Sequence, residues 1–131
     1  MIAGTGIDII EISRVERVLA RYNRRLESFL FTDAEQEYCC RGSSRRAHAV
    51  AYAGRFAAKE ALVKALGTGL RHGIRWKDIE ILNDELGKPH IELSDIALQK
   101  LKEINAHHIH LSISHSRDYA AAFVVLEKTG I

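Results

Sequence analysis

Phe56-Ala57-Ala58-Lys59-Glu60-Ala61-Leu62-Val63-Lys64-Ala65-Leu66-Gly67 is the stretch that decides how this chain folds. Its periodicity predicts the C-terminal part of a helix that starts near Arg45. Helical spacing puts Ala49, Ala53, Phe56, Ala57, Glu60, Val63 and Lys64 on one face, apolar except for Glu60 and Lys64. The opposite side carries Val50, Ala51, Ala58, Ala61, Leu62 and Ala65, so the helix is apolar nearly all round and is expected to be buried on several sides. An ionised carboxylate in such a stripe is costly unless a partner or a metal compensates it. One reading pairs Glu60 with Lys64 as an i,i+4 salt bridge. The other joins Glu60 to a second carboxylate elsewhere in the chain.

The whole chain sets the frame for that choice. At 131 residues and 47% hydrophobic content, it reads as one domain over residues 1–131 with a real core. A formal charge of +2 does not by itself argue for nucleic acid, but its distribution is uneven. Residues 1–72 hold 12 Lys/Arg against 8 Asp/Glu, and the rest hold 7 against 9. Cys39 and Cys40 are adjacent and bridge only through a strained ring, so free thiols and a reducing compartment are expected. There is no CxxC or Cys/His spacing of a zinc site. The N-terminus lacks the basic region of a secretion signal, and no apolar run approaches a membrane span, so a cytoplasmic location and no membrane partner are expected.

Residues Ile2 to Ile10 are β-branched and glycine-rich. Alternation places Gly4, Gly6 and Asp8 on one face and Ala3, Thr5, Ile7 and Ile9 on the other. Glycine within a strand marks close approach by a ligand or another backbone, and Asp8 beside it reads as a strand-end turn residue or as a ligand-facing acid. Ser13 is expected to cap a helix from Arg14 to about Arg24, with Glu16 completing a capping box. On it Arg14, Arg17 and Arg21 recur at i, i+3 and i+7. That basic ridge is either a solvated face or a docking surface for an acidic helical partner.

Phe29 to Phe31 is a short apolar segment, and Thr32 or Asp33 opens a helix to about Cys40. Gly67 suits the left-handed position beyond the long helix. The glycine-rich connection through Gly69, His72 and Gly73 is a turn or a backbone approach to phosphate. Trp76 to Leu82 and Lys88 to Leu93 are predicted strands of a hairpin, with Pro89 at a first or edge position. Ser94 and Asp95 open a further helix. His110 to Ser116 and Tyr119 to Leu126 close the chain as paired strands. The expected class is α+β, a small, mainly antiparallel sheet packed on a long buried helix.

Three segments, Gly6-Ile7-Asp8-Ile9-Ile10-Glu11-Ile12-Ser13-Arg14, Arg55 to Gly67, and Ser112-Ile113-Ser114-His115-Ser116, together resemble the holo-acyl-carrier-protein synthase family of small phosphopantetheinyl transferases. The likeness extends to Gly87-Lys88-Pro89 and to Tyr119-Ala120-Ala121-Ala122. The resemblance implies transfer of the 4'-phosphopantetheine arm of coenzyme A to a serine of apo acyl carrier protein, releasing adenosine 3',5'-bisphosphate, in fatty acid biosynthesis. It also implies Mg2+ and a homotrimer with active sites between subunits. Matched position by position, it makes Asp8 and Glu60 the metal ligands and, with Lys64, the catalytic set. Lys64, Gly67, Pro89 and, from a neighbouring subunit, His115 become coenzyme A contacts; Arg55 is a phosphate contact, a residue of the intersubunit boundary or only a structural ion pair; Arg14 is the carrier contact, and Arg21 joins it by helical spacing. His115, Glu60 and a water on the metal are the alternatives for accepting the serine proton.

The chemistry of the residues agrees with that implication, because magnesium is held by one or two carboxylates plus phosphate oxygens and water. Two other readings compete. A basic nucleic-acid-binding module would use the Arg ridge, although interleaved aromatics are lacking. A buried structural cluster of Asp8, Glu60 and Lys64 would need neither metal nor coenzyme A.

Overall fold

The computed structural model describes residues 1–22, 24–67 and 73–129. Strand β1 (Ile2–Glu11) runs directly into α1 (Ile12–Tyr22), followed by α2 (Arg25–Leu30), α3 (Asp33–Cys39) and the long α4 (Arg45–Leu66). A 3-10 turn (Trp76–Asp78) leads into β2 (Ile79–Asn83) and β3 (Pro89–Leu93). Helix α5 (Asp95–Glu103), β4 (His108–His115) and β5 (Tyr119–Glu127) complete the chain. The antiparallel strands form two sheets instead of the expected one, β1-β5-β4 and the hairpin β2-β3.

The α+β class and the long buried helix agree with the sequence reading. Helix α4 is capped by Ser44, whose hydroxyl accepts from Ala47 N, and ends at Gly67 in the left-handed region at φ 80°. It packs on the inner face of the three-stranded sheet. Along β5, Ala120, Ala122, Val124 and Leu126 point into the core while Tyr119 and Phe123 point out.

Gly4 and Gly6 explain how close that packing is. A Cβ on Gly6 would stand 1.9 Å from the Ala61 carbonyl oxygen, and one on Gly4 would stand 2.2 Å from that of Ala65. Of the two alternatives for these glycines, another backbone and not a ligand fills the space.

A second fastening was not visible in sequence. Lys59 and Glu35 are both fully buried and form an ion pair at 2.7 Å. The Lys59 ammonium also donates to the carbonyls of Leu30 at 2.7 Å and Trp76 at 3.2 Å. Glu35 Oε1 accepts from Thr32 N at 2.9 Å, and Oε2 from Ile81 N at 3.0 Å. Thr32 and Glu35 form the capping box of α3.

Several local expectations need correction. Ser13 is not an N-cap, because β1 passes straight into α1 with Ile12 buried and its N–H donating to Asp118 O at 2.8 Å. Glu16 makes no capping box; it faces Arg46 at 3.4 Å, and Ser13 Oγ accepts from the same guanidinium. Helix α2 occupies part of the segment read only as apolar. The residues Trp76 to Asp78 are a 3-10 turn and not strand. Cys39 and Cys40 are free, the first buried and the second exposed.

Removing one partner of the Lys59–Glu35 pair strands the other charge in the core. Lys59→Met is expected to cost about 3–5 kcal/mol in urea unfolding at neutral pH, with the denaturant slope unchanged. A loss well below 1 kcal/mol would show that the pair carries no structural weight.

Candidate active site

Strand β1 delivers Asp8 to the same side as Gly4 and Gly6, towards α4. There the Lys64 ammonium donates to Asp8 Oδ1 at 3.1 Å and to the Ile7 carbonyl at 2.9 Å. Glu60 stands one turn earlier on α4. The i,i+4 pair considered from sequence is not made, because Lys64 turns to Asp8 across the strand–helix contact. Burial pushes the Glu60 carboxyl above its ordinary range, the Asp8 charge adds to that, and Lys64 pulls it back. Asp8 therefore acts on Glu60 as a like charge.

These groups open onto a cleft of about 530 Å³. Arg14 borders it from α1. Its apolar wall comes from Val15, Val18 and Leu19 of α1, Leu26 and Leu30 of α2, and Phe31, Tyr52 and Phe56. The charged side chains Asp8, Arg14, Glu60 and Lys64 thus share one cleft with an apolar lining. Among the described residues, no group of three or more His, Cys, Asp or Glu is arranged to hold a metal. Asp8 and Glu60 instead fit a hard cation that completes its shell from substrate oxygens and water, and a cation would relieve the repulsion between them.

The other residues singled out from sequence lie elsewhere on the chain. Arg55 is 5% exposed and points into a separate hollow. Its guanidinium lies 3.8 Å from the Tyr38 ring centroid and donates to Asn83 Oδ1, while its buried Nε has no partner. Pro89, the first residue of β3, pairs in register with Asn83 and borders a third hollow together with His110, Ser112 and Phe123. Gly67 is exposed at the end of α4. His115 is exposed at the end of β4, opposite Ala120. Arg21, over the Tyr22 ring at 5.6 Å, is exposed and outside the Asp8 cleft. Asp8, Arg14, Glu60 and Lys64 are brought together; Arg55, Gly67, Pro89, His115 and Arg21 are not. Gly69 and His72 of the glycine-rich connection lie outside the described residues.

Sequence reasoning missed Tyr38 and Asn83 around Arg55, and Lys59 behind the cleft. A signal for Lys59 existed: a helix apolar nearly all round leaves a lysine within it no solvent-facing side.

Residues 4–124 match the 4'-phosphopantetheinyl transferase superfamily. The chain is 54% identical over 127 residues to the holo-acyl-carrier-protein synthase of Trichlorobacter lovleyi, covering 97% of this chain and 98% of that one. It is 47% identical over 128 residues to that of Geobacter sulfurreducens, covering 98% and 99%. Among solved structures it is similar to the Bacillus anthracis synthase in complex with CoA (3',5'-ADP), with TM-score 0.80, 40% identity, and 98% and 99% of the two chains covered. It is also similar to the Neisseria meningitidis synthase, with TM-score 0.84, 36% identity, and 98% and 100% covered. Matched over nearly its whole length by both sequence and shape, this chain belongs to the holo-acyl-carrier-protein synthase family of 4'-phosphopantetheinyl transferases.

Proposed function

We propose that this protein transfers the 4'-phosphopantetheine arm of coenzyme A to a serine hydroxyl of apo acyl carrier protein, releasing adenosine 3',5'-bisphosphate, and so serves fatty acid biosynthesis. The observation that carries the reading is the convergence of Asp8 and Glu60 with Lys64 in a largely apolar cleft bordered by Arg14. The serine oxygen forms a bond to the phosphorus that bears the pantetheine arm. The bond from that phosphorus to the oxygen bridging the two phosphates breaks, adenosine 3',5'-bisphosphate departs with that oxygen, and the hydroxyl proton passes to Glu60, His115 or a water as base. Magnesium held by Asp8 and Glu60 supplies neutralisation of the pyrophosphate charge when bound.

The chain's own residues do the positioning. Lys64 is half exposed, so its ammonium can swing from Asp8 onto a phosphate oxygen as a mobile point charge. Arg55, with an unpartnered Nε beside Asn83, suits a second phosphate of the nucleotide. Gly67 and Pro89 offer backbone and ring surface to the rest of coenzyme A. The exposed Arg14, with Arg21 further along α1, meets the acidic carrier. Arg14 beside the cleft favours an acidic protein over the nucleic-acid reading, because docking there brings the serine to the cleft that Asp8, Glu60 and Lys64 line. A cytoplasmic location accords with the free thiols.

A homotrimer is part of the same reading, and the outer face of the β1-β5-β4 sheet supports it. Ile7 and Ile9 are 64% and 66% exposed, Ile7 pairs in register with the exposed Phe123, and Tyr119 lies along the same face. A second copy is the occupant proposed for this face, with His115 reaching coenzyme A held by the neighbouring subunit.

Three outcomes test the reading. Incubation with coenzyme A, magnesium and an apo carrier should add the mass of the arm to the carrier, with Glu60→Gln lowering kcat/KM roughly a hundredfold or more; transfer that ignores magnesium and Glu60 would refute the two-carboxylate site. Arg14→Glu should raise the carrier KM roughly tenfold and leave the coenzyme A KM in place, whereas equal effects on both would remove Arg14 from docking. Phe123→Glu should shift the protein from trimer to monomer in sedimentation, and an unchanged mass would reject the sheet face as the contact.

A further inference from the structure

We infer that the buried Lys59–Glu35 pair is the positioning element of this site, fixing the α2 wall of the cleft against the face of α4 that carries Glu60 and Lys64. The inference rests on the transferase reading above. Lys59 immediately precedes Glu60, which turns it by about 100° around the helix axis and away from the cleft. An ammonium has three hydrogens, and this one has three acceptors: Glu35 Oε1, Leu30 O and Trp76 O. Nothing is left over for substrate, so Lys59 acts through what it holds.

What it holds is the wall. Leu30 and Phe31 line the cleft, and the Lys59 ammonium lies 5.0 Å from the Phe31 ring centroid. The Trp76 ring packs at 5.2 Å against Phe56, which also lines the cleft and lies on α4 one turn before Glu60. Glu35 carries the chain of contacts on to Thr32 N at the start of α3 and to Ile81 N in β2. Lys59 therefore grips the backbone at Leu30 and Trp76, while its own Cα belongs to the helix bearing the carboxylate.

Burying two charges seldom stabilises a fold more than apolar residues of the same volume would. The gain from an ion pair here is direction. Hydrogen bonds at set angles hold the wall in one register relative to Glu60, where apolar packing alone would let it slide.

Lys59→Arg and Glu35→Asp keep both charges and change only reach and geometry, so they separate positioning from neutralisation. Assayed below their own thermal transitions, each should raise the carrier KM and lower kcat about tenfold, with the coenzyme A KM within about twofold of wild type. A smaller folded fraction would lower kcat without moving the carrier KM. Wild-type constants in both variants, or equal KM increases for both substrates, would overturn the inference. So would failure of both variants to fold, since the pair would then be holding the whole fold and not one wall. Absence of transfer by the wild-type protein would instead reject the transferase reading itself.

Discussion

The contact between β1 and α4 has no room for a side chain, and the site depends on that. The Ala61 and Ala65 carbonyls occupy the positions that methyl groups on Gly6 and Gly4 would need. Strand and helix therefore approach to the limit set by their backbones. Asp8, two residues beyond Gly6, is thereby brought within hydrogen-bond reach of Lys64, and its charge adds to the burial that raises the Glu60 carboxyl. A larger residue at either glycine would push the acid away from the helix. Small residues on both sides, Gly4 and Gly6 against Ala61 and Ala65, thus let a packing rule set the distance from Asp8 to Lys64.

Helix α4 shows how one element serves several ends by rotation alone. Its Ala61 and Ala65 side meets β1, its Glu60 and Lys64 side meets the cleft, and its Arg55 and Lys59 side meets α3 and the β2-β3 hairpin. The last of these sides contains charges in a fully buried setting, which is tolerable only because each polar atom of the Lys59–Glu35 pair finds partners. Arg55 is different: its Nε is buried without a partner. One lysine is saturated by its three acceptors, and one arginine keeps a buried donor that none of its neighbours satisfies.

Much of this was legible in the sequence because it is local. The helical period from Arg45 and the terminal Gly67 mark α4; Thr32 marks the start of α3; and alternation marks β1, β4 and β5. Asp8, Glu60 and Lys64 stood out because each breaks an apolar pattern. What failed was either too short or too distant. Helix α2, at six residues, is too brief to show a period. The entry of α1 is set by a bond from Ile12 N to Asp118, far along the chain, and so Ser13 in a favourable local context misleads. Lys59 and Glu35 meet across 24 positions, and Arg55 and Asn83 across 28, which no spacing rule connects.

Strand β1 also links chemistry to assembly. Consecutive residues on a strand face opposite ways, so the apolar Ile7 and Ile9 on the outer face bracket the acid Asp8 on the inner one. The Ile7 carbonyl accepts a hydrogen bond from the same ammonium that meets Asp8. Any subunit seated on the outer face presses on the backbone that holds the acid and steadies the lysine. If the proposed trimer forms through this face, an isolated subunit would lack the contact behind Asp8, which would tie the site and the assembly to one strand.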